Sequence, residues 1–355
     1  MKKVYNLDQV YGISRDVPLN YVERENVDVL FRNNLSRNKH ITIFGSSKQG
    51  KTCLRKHCLN NDDYILVQCS NKWTLSDLNT NILKRAGYEI EVSTKASTSG
   101  KAKIIATFKH LLGLGELSGA GEIENTEGSE VNRKRLELDS EDVNDIIAAL
   151  HEIAFNKIIV LEDFHYLKDE TKRDFSIELK AFHENSELCF VVVGVWLDEN
   201  KLTILNGDLT GRVISINADS WSKNELIQVI NSGADLLNVS FNDVFIEELL
   251  DRCSDNVYLV QETCHRACRE YHVESTQPTH IMIGKSGDAD RYIKQIVKEQ
   301  SGRYNAFIIN YSNGFQETNL HVGACHREQY MNELFQTQDI TQAGIRFLGP
   351  AERRA

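Results

Sequence analysis

The chain has 355 residues, of which 41% are hydrophobic and 26% are charged. This composition excludes a mainly disordered chain, a collagen-like protein and a small disulfide scaffold, and the length predicts two or three domains. The formal net charge is −10. Bulk charge therefore does not favour the coating of nucleic acid or of an anionic membrane, although a local basic patch is compatible with it.

Targeting signals are not visible in the sequence. No stretch approaches the roughly 20 apolar residues of a membrane span, and the N-terminal residues lack the apolar region of a secretory signal. The eight cysteines show no dense, even spacing, so we interpret them as reduced thiols. We therefore expect a cytoplasmic protein without a membrane partner.

Five short, apolar runs predict the strands of a parallel sheet that is covered on both faces. They are His40–Phe44, Tyr64–Cys69, Lys157–Leu161, Leu188–Val195 and Val213–Ile216. Because helical patterns lie between these runs, the sequence indicates an α/β fold with a parallel central sheet.

Caps and helical spacing indicate where two of these helices begin. Thr74 and Asp77 form the pattern of a capping box. Ser140 precedes apolar residues at a period of 3.6 over residues 143–153, so we expect it to cap that helix.

From Trp221 onward the strand patterns stop and helical patterns take over, beginning with a second capping box at Ser222 and Glu225. We therefore predict an α/β core over residues 1–218 and a small helical domain over residues 219–272.

The remaining residues, 273–355, have a less regular pattern. They contain a helical pattern near Asp290–Gln300 and a strand-like run at 306–311. These predict a C-terminal α+β region, and both a winged helix and an incomplete domain stay open as interpretations. Lysine and arginine form no basic stripe there, which argues against a DNA-binding winged helix.

Residues 93–130 break the pattern of the core with many glycines, serines and threonines. We predict an inserted loop or hairpin between the second strand and the helix before the third. A long insertion of this kind is usually functional or disordered, and a mobile, solvated loop is the simpler interpretation.

A glycine-rich motif directly follows the first predicted strand. Residues 45–52 read G-S-S-K-Q-G-K-T and fit the phosphate-binding pattern G-x-x-x-x-G-K-[ST]. The candidate nucleotide-binding residues are Gly45, Ser46, Ser47, Lys48, Gln49, Gly50, Lys51 and Thr52, together with Cys53. This order of strand, glycine-rich turn and helix start is the context that the motif requires.

Each residue type in this motif has a chemical reason. Gly45 and Gly50 let the backbone turn tightly and present N–H groups to phosphate oxygens, and the following helix N-terminus favours an anion. Lys51 is suited to bridge the β- and γ-phosphates, and the Thr52 hydroxyl is suited to ligate Mg²⁺. We therefore expect ATP and Mg²⁺ as cofactors.

A second strand ends in two carboxylates, Glu162 and Asp163. A carboxylate at such a strand tip binds Mg²⁺, and a second one polarises the attacking water. We assign Glu162 to the metal and Asp163 to the water, while a solvent-exposed strand end stays the plain alternative.

With these motifs the sequence resembles an AAA+ or STAND-type P-loop ATPase, of the branch that holds origin-recognition-type initiators and transposition-regulator ATPases. The resemblance covers roughly residues 20–272. It rests on the P-loop, on LEDFHYL at 161–167, on FVVVGV at 190–195 and on Gly211-Arg212-Val213 followed by Trp221. It implies strand order 5-1-4-3-2 and a helical lid over the nucleotide.

The N-terminal segment Tyr21–Glu25 also resembles the family's "hxxRE" segment, which packs near the adenine in that family. Arg24 stands at the arginine of that segment. The resemblance therefore implies that Arg24 contributes to nucleotide binding.

The chain also departs from the family. The family usually has Asp before Glu or Asp at the acidic strand end, whereas Glu162 precedes Asp163 here, so we expect slow hydrolysis. Val195 and Trp196 stand where a polar sensor is common, and Arg266 and Arg269 are the remaining candidate sensors on the lid. The choice between AAA+ and STAND stays open.

Arg212 lies just before the fifth predicted strand. The resemblance implies a catalytic arginine that reaches the nucleotide of a neighbouring subunit, which requires a homo-oligomer. A contact with the nucleotide of its own subunit and a surface arginine paired with Asp208 or Asp219 are the alternatives.

Two further sets of side chains have a plain structural interpretation. Cys264, Cys268 and His272 recur every four residues, and His321 and Cys325 repeat that spacing. Together they suit zinc, but the two helical cysteines lie on an apolar stripe, which favours buried thiols. His165, after the acidic pair, suits either a site contact or a polar loop position.

We therefore expect an ATP-binding, slowly hydrolysing ATPase that acts as a nucleotide-dependent assembly switch for a separate effector or partner protein. Bacterial ATPases of this kind commonly serve phage defence or mobile elements, which is an analogy at the level of the fold. A DNA-associated ATPase of transposition or replication initiation, and a scaffold that binds nucleotide without hydrolysis, are the alternatives.

Overall fold

The computed structural model describes residues 3–13, 16–37, 39–96, 102–111, 123–124, 131–196 and 201–300. These residues form two compact units, each built from separate stretches of the chain. The first, here called the lid unit, contains residues up to Val27, Gly45–His57 and residues from Ala218 onward. The second, the sheet unit, contains Asp28–Phe44 and Cys58–Asn217.

The sheet unit is built around five parallel strands. They are β1 (His40–Phe44), β2 (Tyr64–Gln68), β7 (Ile158–Glu162), β8 (Phe190–Val193) and β9 (Val213–Asn217). Their order is β2-β7-β8-β1-β9, which confirms the expected order 5-1-4-3-2. Every residue of β1 and β8 is buried, as expected of central strands that are covered on both faces.

One helix of the sheet unit precedes β1, and the others lie between later strands of the chain. They are α2 (Leu30–Leu35), α4 (Leu75–Ala86), α5 (Val143–Glu152), α6 (Asp169–Asn185) and α7 (Lys201–Leu205). A π-helix at Glu25–Val29 leads into α2, and two 3₁₀-helices lie at Phe164–Tyr166 and Gly207–Leu209.

The two predicted caps of this unit have different outcomes. The capping box of Thr74 and Asp77 at α4 is confirmed. The cap assigned to Ser140 is wrong, because Asp142 is the N-cap of α5 and its side chain accepts from the Asn144 amide. Ser140 is buried instead, and its carbonyl accepts from the Asn79 side chain.

A four-stranded antiparallel sheet lies between α4 and α5 in the chain. Its strands are β3 (Glu89–Ala96), β4 (Ala102–Leu111), β5 (Ile123–Glu124) and β6 (Val131–Asp139), in the order β3-β4-β6-β5. Ile104, Phe108 and Leu138 pack in the same hydrophobic core as α4 and α5. Described residues of 93–130 therefore belong to strands that are joined to the core.

The lid unit is mainly helical. Its elements are α1 (Leu7–Val10), α8 (Lys223–Leu237), β10 (Val239–Phe241), α9 (Asp243–Arg252), α10 (Val257–Glu270), β11 (Ile281–Ile283) and α11 (288–300). The capping box of Ser222 and Glu225 at α8 is confirmed. The expectation that strands stop at Trp221 is wrong, because β10 and β11 form a parallel pair. Three-residue strands are too short to produce a periodic signal.

Apolar side chains from α8, α9 and α10 form the core of the lid unit, and the N-terminal residues join it. Leu7, Val10 and Tyr11 are buried there, and the Tyr11 hydroxyl donates to the Ile230 carbonyl. The helix expected near Asp290–Gln300 is present as α11. The strand-like run at 306–311 lies outside the described residues.

Candidate functional site

The glycine-rich loop begins where β1 ends at Phe44 and passes into helix α3 (Lys51–Cys58). Gly45 has φ of +135° and Gly50 has φ of +86°, conformations that residues with a β-carbon rarely adopt. Lys48, between them, has φ of 66°. The backbone thus has the tight turn that the motif predicts.

Lys51 is folded back onto this loop. Its Nζ donates to the Gly45 carbonyl at 2.9 Å and to the Ser46 carbonyl, and only 9% of the residue is exposed. Thr52 and Cys53 follow in the first turn of α3, with Thr52 exposed. Burial raises the pKa of the Cys53 thiol, which makes it a packing group rather than a reactive thiolate.

The carboxylate of Asp219 binds the start of the loop. Its two oxygens accept from the Ser46 amide at 2.7 and 2.8 Å, and one of them also accepts from the Ser46 hydroxyl at 2.8 Å. From the sequence, Asp219 was expected only as an alternative ion-pair partner of Arg212. No local pattern marked it as a loop contact, because Asp219 and Ser46 lie 173 residues apart in the chain.

The beginning of α10 contacts the middle of the loop. Gln49 Oε1 accepts from the Val257 amide at 3.4 Å, and Lys48 Nζ lies 4.0 Å from the centre of the Tyr258 ring. The second contact is a cation–π interaction. The side chains of Lys48 and Gln49 therefore link the loop to the first turn of α10.

Arg24 is almost completely buried, with 1% exposed. Its Nη1 donates to the Ala218 carbonyl at 2.9 Å and to the Ser220 carbonyl at 3.4 Å. Its guanidinium also stacks on the Trp221 ring at 3.9 Å. The nucleotide-binding role assigned to Arg24 stays a prediction, but these contacts make it a residue that fixes the segment 218–221.

The acidic pair lies in the sheet unit. Glu162 is the last residue of β7 and is 9% exposed. Asp163 follows with φ of 55° in the left-handed region, which asparagine and aspartate tolerate better than most residues. The Gln68 side chain, at the end of β2, donates to Asp163 Oδ2.

The strand order places the ends of β1 and β7 at one edge of the sheet. All five strands are parallel, so their carboxyl ends share that edge, where α/β proteins bind ligands. Phe44, the last residue before the glycine-rich loop, and Glu162 are both at such ends. The metal-binding role assigned to Glu162 stays a prediction.

Two other sequence candidates near this edge have structural partners. His165 Nδ1 accepts from the Val195 amide at 3.3 Å, and its ring lies 4.2 Å from that of Tyr166. A β-carbon at Gly194 would come within 1.6 Å of the Trp196 ring. Both observations describe a closely packed turn after β8, in which the Trp196 ring lies against Gly194.

Arg212 contacts groups of its own unit. Its Nη2 lies 2.7 Å from Glu184 Oε1, and its Nη1 donates to the Asp208 carbonyl. The acid partner is thus Glu184 rather than the Asp208 or Asp219 carboxylates, since Asp208 pairs with Lys180. The contact is at the surface, where an ion pair of this kind is worth about 0–1 kcal/mol.

The candidate sensor Arg266 is held by two carboxylates. It lies 2.9 Å from Glu262 and pairs with both oxygens of Glu299 at 2.9 and 2.7 Å, whereas Arg269 is exposed.

The zinc interpretation has no support in the part of the chain that the structure describes. No group of three or more histidine, cysteine or acidic residues there is arranged to hold a metal ion. Cys264 and Cys268 are fully buried, and burial raises the pKa of Cys268 to about 12, so it stays a thiol. His321 and Cys325 lie outside the described residues.

The predicted site residues thus belong to both units. The glycine-rich loop and Arg24 are in the lid unit, whereas Glu162, Asp163 and Arg212 are in the sheet unit.

Solved structures of similar fold include the Walker-type ATPase PABY2304 of Pyrococcus abyssi, which is 11% identical with a TM-score of 0.54, covering 95% of this chain and 99% of that one. The ORC1 protein of Aeropyrum pernix in complex with DNA is 10% identical with a TM-score of 0.47, and the match covers 84% of this chain and 71% of that one. Cdc6p of Pyrobaculum aerophilum is 14% identical with a TM-score of 0.42, and the match covers 76% of this chain and 68% of that one.

The likeness to the Pyrococcus protein shows the fold alone, and that fold is the P-loop NTPase fold. No protein-family model matches the chain, and neither does any curated protein. Among the described residues, no helix has the length and apolar character needed to cross a membrane.

Proposed function

We propose that the chain binds ATP with Mg²⁺ at residues 45–52 and hydrolyses it slowly to ADP and phosphate. The observation that carries the proposal is the position of Lys51, whose ammonium lies on the Gly45 carbonyl inside a loop with two positive-φ glycines. A buried ammonium in a glycine-rich turn that leads into a helix N-terminus is suited to bind a polyphosphate.

The hydroxyl and carboxylate side chains of the motif and of the acidic strand end have chemistry that fits the cofactor. Thr52 and Glu162 are the proposed Mg²⁺ ligands, since the ion prefers oxygen ligands and keeps several waters. The ion would neutralise charge that develops on the phosphates. Asp163 is the proposed base that polarises the attacking water.

The proposed switch rests on contacts of the loop with the lid helices. Gln49 and Lys48 contact the first turn of α10, and Asp219, three residues before the N-cap of α8, binds Ser46. A phosphate group that enters the loop competes with the contacts of Lys48 and Gln49. Nucleotide would thereby bias the arrangement of the lid helices, which is the differential interaction that a switch requires.

A homo-oligomer with Arg212 at the subunit boundary is the proposed assembly, with a separate effector protein as its target. Arg212 is partly exposed and its partner Glu184 is at the surface. Such an ion pair is weak enough for a neighbouring subunit's nucleotide to replace it. A cytoplasmic location, where ATP is abundant, accords with this proposal.

A non-hydrolysing scaffold is the second candidate, and one contact favours it. Gln68 holds the Asp163 carboxylate that would polarise water. By contrast, the net charge of −10 gives no support to the DNA-associated alternative.

Nucleotide binding tests the proposal directly. Lys51→Ala should lose at least about tenfold in ATP affinity, because a charged contact with phosphate disappears. Lys56→Ala is the matched control, since Lys56 is in the same helix and lies 3.9 Å from Asp16 at the surface. Equal ATP binding by wild type and Lys51→Ala would refute the site, and phosphate release would separate an ATPase from a scaffold.

A further inference from the structure

The most specific unassigned contact lies at the first peptide group of the glycine-rich loop. The Gly45–Ser46 peptide offers its N–H to the Asp219 carboxylate and its C=O to Lys51 Nζ at 2.9 Å. Because a peptide group is planar, its N–H and C=O point in opposite directions. One rigid plane therefore has Asp219 on one side and Lys51 on the other.

The two contacts reinforce each other. A carboxylate that accepts from an N–H draws the peptide dipole into alignment and makes the C=O of the same group a better acceptor. Both contacts are charge-assisted hydrogen bonds, the stronger class in proteins. The orientation of this peptide consequently depends on Asp219, and the position of Lys51 depends on the peptide.

The backbone at Gly45 is shaped to this contact. A β-carbon built on Gly45 would lie 2.4 Å from Asp219 Oδ1, closer than two non-bonded atoms approach. Glycine is thus needed at position 45 for two reasons, namely its φ of +135° and the approach of the carboxylate.

Asp219 is itself held in place from both sides. The carbonyls of its neighbours Ala218 and Ser220 accept from Arg24, and Trp221 stacks on the same guanidinium. The Trp221 amide also donates to the Asp219 carbonyl at 2.9 Å. The segment that carries the Asp219 carboxylate is therefore held in place by these contacts, so the carboxylate loses little conformational freedom when it accepts from the Ser46 amide.

We propose that Asp219 is a positioning residue of the nucleotide site, which acts through the Gly45–Ser46 peptide to set the location of Lys51. This proposal rests on the proposed function for its effect on ATP. Its structural content, the coupling of Asp219 to Lys51, is independent of any ligand.

A double-mutant cycle in nucleotide-free protein tests that coupling. Asp219→Ala, Lys51→Met and the double variant are compared with wild type by urea unfolding. We expect the double variant to be less destabilised than the sum of the single variants, by roughly fivefold or more in the unfolding equilibrium constant. Additive effects would overturn the proposal.

Two further variants separate orientation from charge and from local packing. Asp219→Asn keeps an acceptor for the Ser46 amide, so it should retain at least half of the coupling, and it carries the cycle if Asp219→Ala does not fold. If Asp219→Asn and Asp219→Ala abolish the coupling equally, the carboxylate acts on Lys51 directly through its charge. That result would contradict the proposal that Asp219 acts through the Gly45–Ser46 peptide. Ser46→Ala, which removes only the hydroxyl contact, should leave the coupling in place.

Nucleotide affinity provides the functional readout. Asp219→Ala should weaken ATP and ADP by about tenfold and AMP by less than twofold, because Lys51 is suited to the β- and γ-phosphates. Equal losses for all three nucleotides would indicate general damage and would contradict the proposal. If wild type binds none of them, the proposed function fails, while the unfolding cycle still decides whether Asp219 acts through the peptide.

Discussion

The side chain of Gln68 donates a hydrogen bond to the carboxylate of Asp163, across the neighbouring ends of β2 and β7. A carboxylate that accepts this bond has one acceptor site fewer for a water molecule. Asp163 also stands in a left-handed backbone conformation, so its side chain direction is restricted by the turn that follows β7.

Removal of Gln68 should therefore release Asp163. We expect Gln68→Ala to raise ATP hydrolysis by roughly 2- to 10-fold, a small share of the 10²–10⁴ that a positioned base contributes, and to leave ATP affinity unchanged. Steady-state phosphate release measures the first quantity and equilibrium dialysis the second. Tyr64→Phe, on the same strand, is the control, and a decrease in Gln68→Ala would show that the glutamine supports hydrolysis.

The two carboxylates should separate in their effects. Asp163→Asn should keep ATP binding and lower hydrolysis by about 10² or more, because the water loses its polarising carboxylate. Glu162→Gln should instead raise the Mg²⁺ concentration that is needed for half-maximal binding or turnover. Wild-type hydrolysis by Asp163→Asn would show that these roles are assigned incorrectly.

Mixing of variants tests Arg212. Arg212→Ala subunits keep an intact glycine-rich loop, and Lys51→Ala subunits keep the arginine. Each alone should hydrolyse ATP poorly, with a loss of about 10³ for Arg212→Ala at the low end of the range for such arginines, and mixed assemblies should recover part of the activity. Arg173→Ala, at an exposed position of α6, is the matched control.

Two results would refute this assignment. One is full activity of Arg212→Ala, which would leave Arg212 as a surface partner of Glu184. The other is a protein that stays monomeric with ATP and Mg²⁺ at micromolar concentration in analytical ultracentrifugation.

Stability should depend on pH through Glu178, which is 6% exposed in α6. Burial raises the pKa of its carboxyl from the usual 4.5 to about 8, although hydrogen bonds from Asn79 oppose the shift. The folded state thus holds a proton that the unfolded chain releases between these values. Stability from this group is full below about pH 4.5 and is lost as pH rises towards 8.

Glu178→Gln removes this titration. We expect the variant to show a flatter unfolding free energy between pH 5 and 8, whereas the wild type loses about 1.4 kcal/mol per pH unit where the slope is steepest. Urea unfolding at a series of pH values measures both slopes. Glu187→Gln, at an exposed position, controls for loss of a carboxylate, and parallel curves for wild type and Glu178→Gln would contradict the prediction.

The sheet and the caps with local signals could be predicted from the sequence. The buried strands are continuous apolar runs. In the capping box, the side chain of Thr74 accepts from the Asp77 amide and the side chain of Asp77 accepts from the Thr74 amide, so the whole signal lies within four residues. The strand order came from the resemblance and not from the runs themselves. Ser140 was misassigned because a serine near a helix start resembles a cap, whereas Asp142 lies two residues closer to the helix and has the required geometry.

The contacts that shape the candidate site could not be predicted in the same way. Asp219 reaches Ser46 across 173 residues and Gln49 reaches Val257 across 208, so no periodicity or spacing connects them. Gln68 and Asp163 are brought together by the strand register, in which Gln68 pairs with Glu162. Only a correct strand pairing reveals that partner.

The composition of the lid unit from separate stretches has a consequence for how the protein is made. The Tyr11 hydroxyl donates to the carbonyl of Ile230, which lies 219 residues later in the chain. Leu7, Val10 and Tyr11 therefore leave the ribosome before their partners in α8 are made, while the residues of the sheet unit are synthesised. Non-local contacts of this kind slow folding and leave apolar surface exposed to aggregation. The core of the lid unit can therefore form only after α8 has been translated, and it cannot form progressively as the N-terminal residues are synthesised.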